Sequence, residues 1–187
     1  FKYEKNKNLR QMKKYFLTIP FIFFLFILLI FFYLLTKERN PSELPSNLLN
    51  KKVPNFETES LFSNEKFISS NEFGDEIILV NFFATWCQPC RAEHVYIKRF
   101  ADEKKIRIIG INYKDNTKKT IEWLRDLGNP YSDVPIDKNG RVAIDWGVYG
   151  IPETFVVNSK GIIKYRHIGP INKKVYKKIN LLIKEIK

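Results

Sequence analysis

Residues 77–90 read IILVNFFATWCQPC, and this stretch decides the fold. Its first half, 77–83, is an almost unbroken apolar run of strand length, suited to a strand covered on both faces. The run stops at Ala84-Thr85, and the chain then presents Trp86-Cys87-Gln88-Pro89-Cys90, which contains the only two cysteines of the 187 residues. Pro89 fits the first turn of a helix, where its fixed φ is compatible and its missing N–H is no loss. A Cys-x-x-Cys pair at a strand-to-helix corner holds two thiols close enough to open and close as a disulfide. Cys87 sits at the helix mouth, where the unpaired N–H groups and the helix dipole lower a thiol's pKa below the ordinary ~8.5. It is therefore read as an exposed attacking nucleophile, with Cys90, one turn further in, as the thiol that resolves a mixed disulfide.

Two other readings of the pair exist. A purely structural crosslink of this size closes a short loop and constrains little of the unfolded chain. A zinc site would draw on His94, four residues after Cys90, but the only other histidine, His167, lies far along the chain. The reading adopted involves no metal and no organic cofactor.

Upstream, residues 15–35 (YFLTIPFIFFLFILLIFFYLL) carry no charge, and their length suffices to cross about 30 Å of hydrocarbon. Lys2, Lys5, Lys7, Arg10, Lys13 and Lys14 precede them. The positive-inside bias then keeps 1–14 in the cytoplasm and sends everything after 35 to the far side. No small-residue cleavage site follows Leu35, so an uncleaved anchor is expected rather than a signal peptide. Met12, the only methionine, offers an alternative start just before the apolar run. Residues 36–52, with Pro41, Pro45 and several Ser and Asn, read as a linker. The net charge of +12 is partly this tail and otherwise scattered lysine without interleaved stacking aromatics, which argues against nucleic-acid binding.

From 53 to 187 strand and helix patterns alternate, which predicts one layered α/β domain. Strands are expected at 67–69, 77–83, 105–112, 134–136, 154–157 and 162–167. Helices are expected at 91–104, 117–127, 141–146 and 173–186, with a hairpin turn at Asn158-Ser159-Lys160-Gly161.

Asn81-Phe82-Phe83-Ala84-Thr85-Trp86-Cys87, Cys90-Arg91-Ala92-Glu93-His94, residues 110–115 (GINYKD), residues 145–155 (DWGVYGIPETF) and residues 161–167 (GIIKYRH) together resemble the thioredoxin fold. More closely, they are similar to the membrane-anchored thioredoxin-like thiol:disulfide interchange proteins of bacterial cytochrome c maturation, the CcmG/DsbE family. The resemblance covers about residues 40–187, and the 147–155 segment is its most specific part. It implies a central mixed β-sheet flanked by helices, preceded by one transmembrane helix. It also implies a redox-active Cys87–Cys90 disulfide and a cis proline at Pro152 lying against it, with the neighbouring Ile151 backbone free to pair with a client strand. Ordinary thioredoxins carry a buried aspartate where Asn81 stands, so proton transfer must be served from elsewhere. Glu93 and Glu153 match acids that line a groove beside the cysteines in that family, although either residue alone reads equally well as a solvated surface charge. Trp86 is expected to shield the disulfide and shape the docking surface.

The function so implied is reduction of the CxxCH disulfide of apocytochrome c, or of a dithiol partner in that pathway, with a DsbD/CcdA-type membrane thiol transporter as electron donor. Placement would be in the bacterial inner membrane as a single-pass protein, catalytic domain in the periplasm. The alternatives are a thioredoxin-like reductase for another client and a non-catalytic module that binds apocytochrome.

Overall fold

The computed structural model describes residues 2–36 and 47–186. The chain divides into two units, Phe1–Asn40 and Pro41–Lys187. The first unit is helix α1, Lys2–Thr36, with Pro20 inside it. Its apolar portion, Thr18–Thr36, has mean hydropathy 2.8 over 19 residues and is a candidate membrane span by length and composition. At 1.5 Å per residue it is about 28 Å long, close to the ~30 Å hydrocarbon thickness. The basic residues expected as a separate tail continue the same helix.

The second unit is built on strands β1 (Glu57–Ser60), β2 (Ser63–Ser69), β3 (Ile78–Phe83), β4 (Arg107–Tyr113), β5 (Ile136–Asp137), β6 (Glu153–Val157) and β7 (Ile163–Ile168). Helices α2 (Gln88–Lys104), α3 (Thr117–Leu127), α4 (Arg141–Asp145) and α5 (Lys173–Glu185) connect and cover them. Five strands form one mixed sheet in the order β5-β4-β3-β6-β7. β3 runs parallel to β4 and antiparallel to β6. This is a thioredoxin-like fold.

β3 shows why its sequence is a continuous apolar run. Ile78, Val80 and Phe82 enter one core cluster, with Trp146, Phe155 and Val157. Leu79 and Phe83 point the other way, into a cluster with both cysteines, Ile97, Phe100 and Ile179. Every β3 residue is buried, so the two-residue period of side-chain direction leaves no face for solvent. Asn81 is the one polar residue in that strand, and it therefore needs partners inside the protein.

Several boundaries differ from the sequence expectation. The hairpin β1–β2 is absent from it apart from 67–69, because ETES and SNEKFIS carry too little alternation. Pairing is what makes these residues strands, Glu57 opposite Ser69 and Thr58 opposite Ile68. The expected strand at 134–136 is replaced by Ile136–Asp137, which pairs with Asn112 and Tyr113 at the sheet edge. Helix α2 starts at Gln88, ahead of the expected Arg91, because Cys87 caps it. Of the expected linker, residues 37–46 lie outside the described residues. Its last part is tied to the β6–β7 hairpin: Asn50 N–H donates to Ile163 O at 2.8 Å and Ile163 N–H to Lys51 O at 2.9 Å. The compact unit thus takes in residues ahead of Val53.

Candidate active site

The corner begins where β3 ends. Cys87 is the N-cap of α2, in extended conformation (φ −89°, ψ 104°), and its sulfur accepts the Cys90 N–H at 3.1 Å. Gln88 and Pro89 make the first helical positions, with proline where no intrahelical N–H bond is needed. Cys87 and Cys90 are joined as a disulfide with Cα atoms 5.3 Å apart. The preceding turn is pinned by Asp115, whose carboxylate accepts Thr85 N–H at 2.6 Å and Thr85 Oγ1–H at 2.9 Å. Thr85 and Asp115 carried no functional reading in the sequence. Their partnership spans 30 positions, and only the start of α3 at Asn116-Thr117 hints that Asp115 faces the corner.

Exposure of the sulfurs corrects one expectation. Cys87 is 4% exposed and Cys90 2%. In the disulfide state the Cys87 side chain folds back over its own helix terminus and joins an apolar cluster that includes Phe83 and Ala84, with Ile151 packed against it. A partner must therefore fit the surface closely to reach the sulfur. Trp86 stands beside the pair at 58% exposure. Its indole N–H donates to Lys114 O at 3.2 Å, and its ring lies 6.4 Å from that of Tyr113. Pro89 is also exposed. The Ile151–Pro152 peptide bond is cis.

Glu93 is buried at 1% exposure and is no solvated charge. Its Oε1 accepts Asn81 Nδ2–H at 2.8 Å, and its Oε2 accepts the Ile171 N–H at 2.8 Å. Asn81 Nδ2 also donates to Thr154 Oγ1 at 3.0 Å, and Tyr131 Oη–H donates to Asn81 Oδ1 at 2.9 Å. Burial pushes the Glu93 carboxyl from 4.5 up to about 7, and the bonds from Ile171 and Asn81 pull it back part of the way. The acid that Asn81 does not supply from the strand is thus supplied from the helix, with the Asn81 amide as its hydrogen-bond partner. Cys90 precedes Glu93 by three residues, a spacing that puts both on one helix face.

Glu153 departs from both sequence readings. At 0% exposure it neither lines an open groove nor meets solvent. Its Oε2 accepts from Arg166 at 2.7 Å. Its Oε1 accepts Tyr149 N–H at 2.9 Å and Gly150 N–H at 3.4 Å. Arg166 also donates to Gly147 O at 2.7 Å, and its guanidinium lies 4.9 Å from the Tyr149 ring centroid. The pair therefore organises the segment leading into Pro152. Its charge is neutralised inside the protein.

His94 is turned away from the sulfurs. Its Nε2–H donates to Gly128 O at 2.8 Å, its ring packs edge-to-face on Trp123 at 4.5 Å, and burial holds its pKa below the ordinary value.

The raised Glu93 carboxyl makes stability depend on pH. A carboxyl that binds its proton more tightly folded than unfolded stabilises the fold fully below the unfolded pKa. That contribution is lost as pH rises through about 7. Between pH 5 and pH 8 the full-length protein is expected to lose on the order of 2 kcal/mol from this group. Urea denaturation at both pH values should show a flatter profile for Glu93→Gln, and equal slopes would remove Glu93 as the source.

Residues 48–180 match the redoxin family. The thiol:disulfide interchange protein DsbE of Vibrio cholerae is 43% identical over 164 residues, covering 86% of this chain and 89% of that protein. DsbE of Escherichia coli (strain K12) is 41% identical over 169 residues, covering 88% and 91%. Among solved structures, a secreted thiol-disulfide isomerase from Corynebacterium glutamicum superposes with TM-score 0.63 at 20% identity, over 71% of this chain and 85% of that one. A thioredoxin-family thiol:disulfide interchange protein from Chlorobium tepidum superposes with TM-score 0.61 at 21% identity, over 76% and 99%. These two bear on the fold alone.

Proposed function

The chain belongs to the DsbE family of thiol:disulfide interchange proteins, and from that premise we propose that it reduces the disulfide of a CxxCH haem-attachment site in apocytochrome c, or of a dithiol partner in that maturation. Thiol:disulfide exchange through a Cys pair is the chemistry of the family. The observation that carries the mechanism is the Cys87 sulfur at the α2 N-cap, accepting the Cys90 N–H. Once the disulfide is opened, that donor and the helix terminus stabilise the Cys87 thiolate.

Reduced Cys87 attacks one sulfur of the client disulfide. A Cys87–client bond forms, and the other client sulfur leaves as thiolate and takes up a proton. Cys90 then loses its proton to Glu93, whose poise near neutrality suits the transfer. Its thiolate attacks the Cys87 sulfur, and the client leaves as a dithiol with two electrons gained. The protein remains as the Cys87–Cys90 disulfide. Return to the dithiol needs a donor, which we assign to a DsbD/CcdA-type membrane thiol transporter. Trp86 and the Ile151–Pro152 segment form the surface the client meets, with Arg166 and Glu153 holding that segment in shape.

Helix α1 serves in this reading as an uncleaved anchor. Residues 1–14 stay in the cytoplasm, 15–35 span the inner membrane, 36–52 tether, and 53–187 work in the periplasm. The exposed apolar side chains of Thr18–Thr36 support it. So does the need for a reductant on an oxidising side.

A Cys90→Ala variant tests client and location together. Cys87 then has no resolving thiol, and a mixed disulfide is expected to accumulate in the membrane fraction, releasing a CxxCH-containing polypeptide on treatment with dithiothreitol. Adducts only with proteins lacking that motif would overturn the client assignment.

A further inference from the structure

The Asn81 side-chain amide is bonded at both ends by three side-chain partners. Both Nδ2 hydrogens are donated, to Glu93 Oε1 and Thr154 Oγ1, and Oδ1 is occupied by the Tyr131 hydroxyl. A side-chain amide has a second orientation, rotated by half a turn, in which the oxygen faces Glu93. That oxygen would then stand where Nδ2 is now, 2.8 Å from Glu93 Oε1, an approach that is repulsive to a carboxylate and is relieved when Glu93 carries a proton to donate. The present orientation therefore favours the carboxylate, and the rotated one favours the protonated acid.

We infer that Tyr131 is the positioning residue that selects between them: its hydroxyl, donating to Asn81 Oδ1, keeps the amide N–H turned toward Glu93 and so favours the carboxylate. This rests on the reading of Glu93 as proton acceptor and adds what sets its proton affinity. A phenol donates more strongly than it accepts, because its lone pair is shared with the ring. Tyr131 thus prefers the amide oxygen to the amide nitrogen. Nothing in the surroundings lets the hydroxyl wander. The ring stacks on Phe83 with centroids 4.7 Å apart, and a Cβ built on Gly110 would stand 2.7 Å from ring atoms. Burial and the nearby Glu93 charge hold the Tyr131 hydroxyl protonated, so it remains a donor through the working pH range.

The groups around Glu93 are few. Asn81 faces it from β3, Thr154 on β6 and Tyr131 bond the far sides of the Asn81 amide, and the Ile171 N–H comes from the segment ahead of α5. On its own helix Cys90 is disulfide-bonded and His94 is bonded to Gly128. On β7, His167 sits opposite Thr154 and couples to Lys178 and Glu153, and Arg166 is engaged by Glu153.

Tyr131→Phe removes the hydroxyl and keeps the ring. The Asn81 oxygen then lacks a donor in a dry site, and rotation toward a protonated Glu93 supplies one. The experiment uses the oxidised full-length protein in detergent, where the thiols do not titrate. The infrared band of the protonated Glu93 carboxyl, identified by its loss in Glu93→Gln, is followed against pH. In Tyr131→Phe its midpoint is expected to rise by about one pH unit. In an Asn81→Ala background the same substitution should move it little, since the relay is gone. The 15N-labelled Asn81 side-chain NH2 pair in Tyr131→Phe gives an arm that needs no second substitution: its two proton shifts should move from their wild-type positions. An unchanged midpoint in Tyr131→Phe, or an equal shift with and without Asn81, overturns the inference. The pH profile of reduction of a CxxCH peptide disulfide tests the underlying reading separately. A shifted carboxyl midpoint with an unshifted rate profile supports Tyr131 as positioning residue and overturns Glu93 as proton acceptor.

Discussion

Cys87→Ser is expected to abolish reduction of a CxxCH peptide disulfide, lowering the rate on the order of 10³-fold or more, to the uncatalysed background. A serine hydroxyl at the α2 N-cap still accepts the Cys90 N–H, so the local fold survives. It does not ionise near neutral pH, however, and forms no stable bond to a client sulfur. Cys90 cannot substitute, because it lies one turn inside the helix, away from the N-cap position that stabilises a thiolate. Chromatographic separation of reduced and oxidised peptide at pH 7 measures the loss. Cys90→Ala in the same assay should give one stoichiometric burst of client thiolate and then stop. A wild-type rate in Cys87→Ser would remove that sulfur from the mechanism.

Removing Arg166 is expected to have the largest effect on stability. Glu153 is fully buried, and among the described residues Arg166 is the cation that pairs with it, in bonds of 2.7 Å. Arg166→Leu leaves a carboxylate enclosed with two backbone N–H groups and no counter-charge, which costs about 3–5 kcal/mol. It also frees Gly147 O and removes the guanidinium from the Tyr149 ring, so the segment before Pro152 loosens. Adding Glu153→Gln should recover most of the loss, because a neutral amide oxygen still accepts from Tyr149 and Gly150 without burying a charge. Urea denaturation of the full-length single and double variants measures this. A loss below about 1 kcal/mol in Arg166→Leu, the worth of an exposed pair, would show that the charge finds another outlet.

The corner at 77–90 was readable because it is local: an apolar run, a proline and two cysteines at fixed spacing suffice to place a thiol at a helix terminus. Helix α3 was readable for the same reason, with Gly128 as its stop. The hairpin β1–β2 was not. Its residues are polar, and only their pairing, with Ile68 and Leu61 turned inward, makes them strands. Glu93 and Glu153 were picked out, but their burial was hidden, since carboxylates read as surface until their partners are known. Those partners, Asn81, Ile171 and Arg166, lie 12, 78 and 13 positions away. Tyr131 carries no such signal in the sequence. A lone tyrosine after Asn129-Pro130 looks like part of a turn, and its role depends on a hydroxyl 50 positions from its acceptor.

The close approach of Gly110 to the Tyr131 ring carries a lesson about descent. Any side chain at 110 collides with that ring, and shrinking the ring alone opens a void beside Phe83. Neither position can drift independently. In related chains the two are expected to covary, the strand position gaining bulk only where the later position has already given up its ring, so that the glycine and the aromatic ring, with or without its hydroxyl, are inherited as a linked pair of characters.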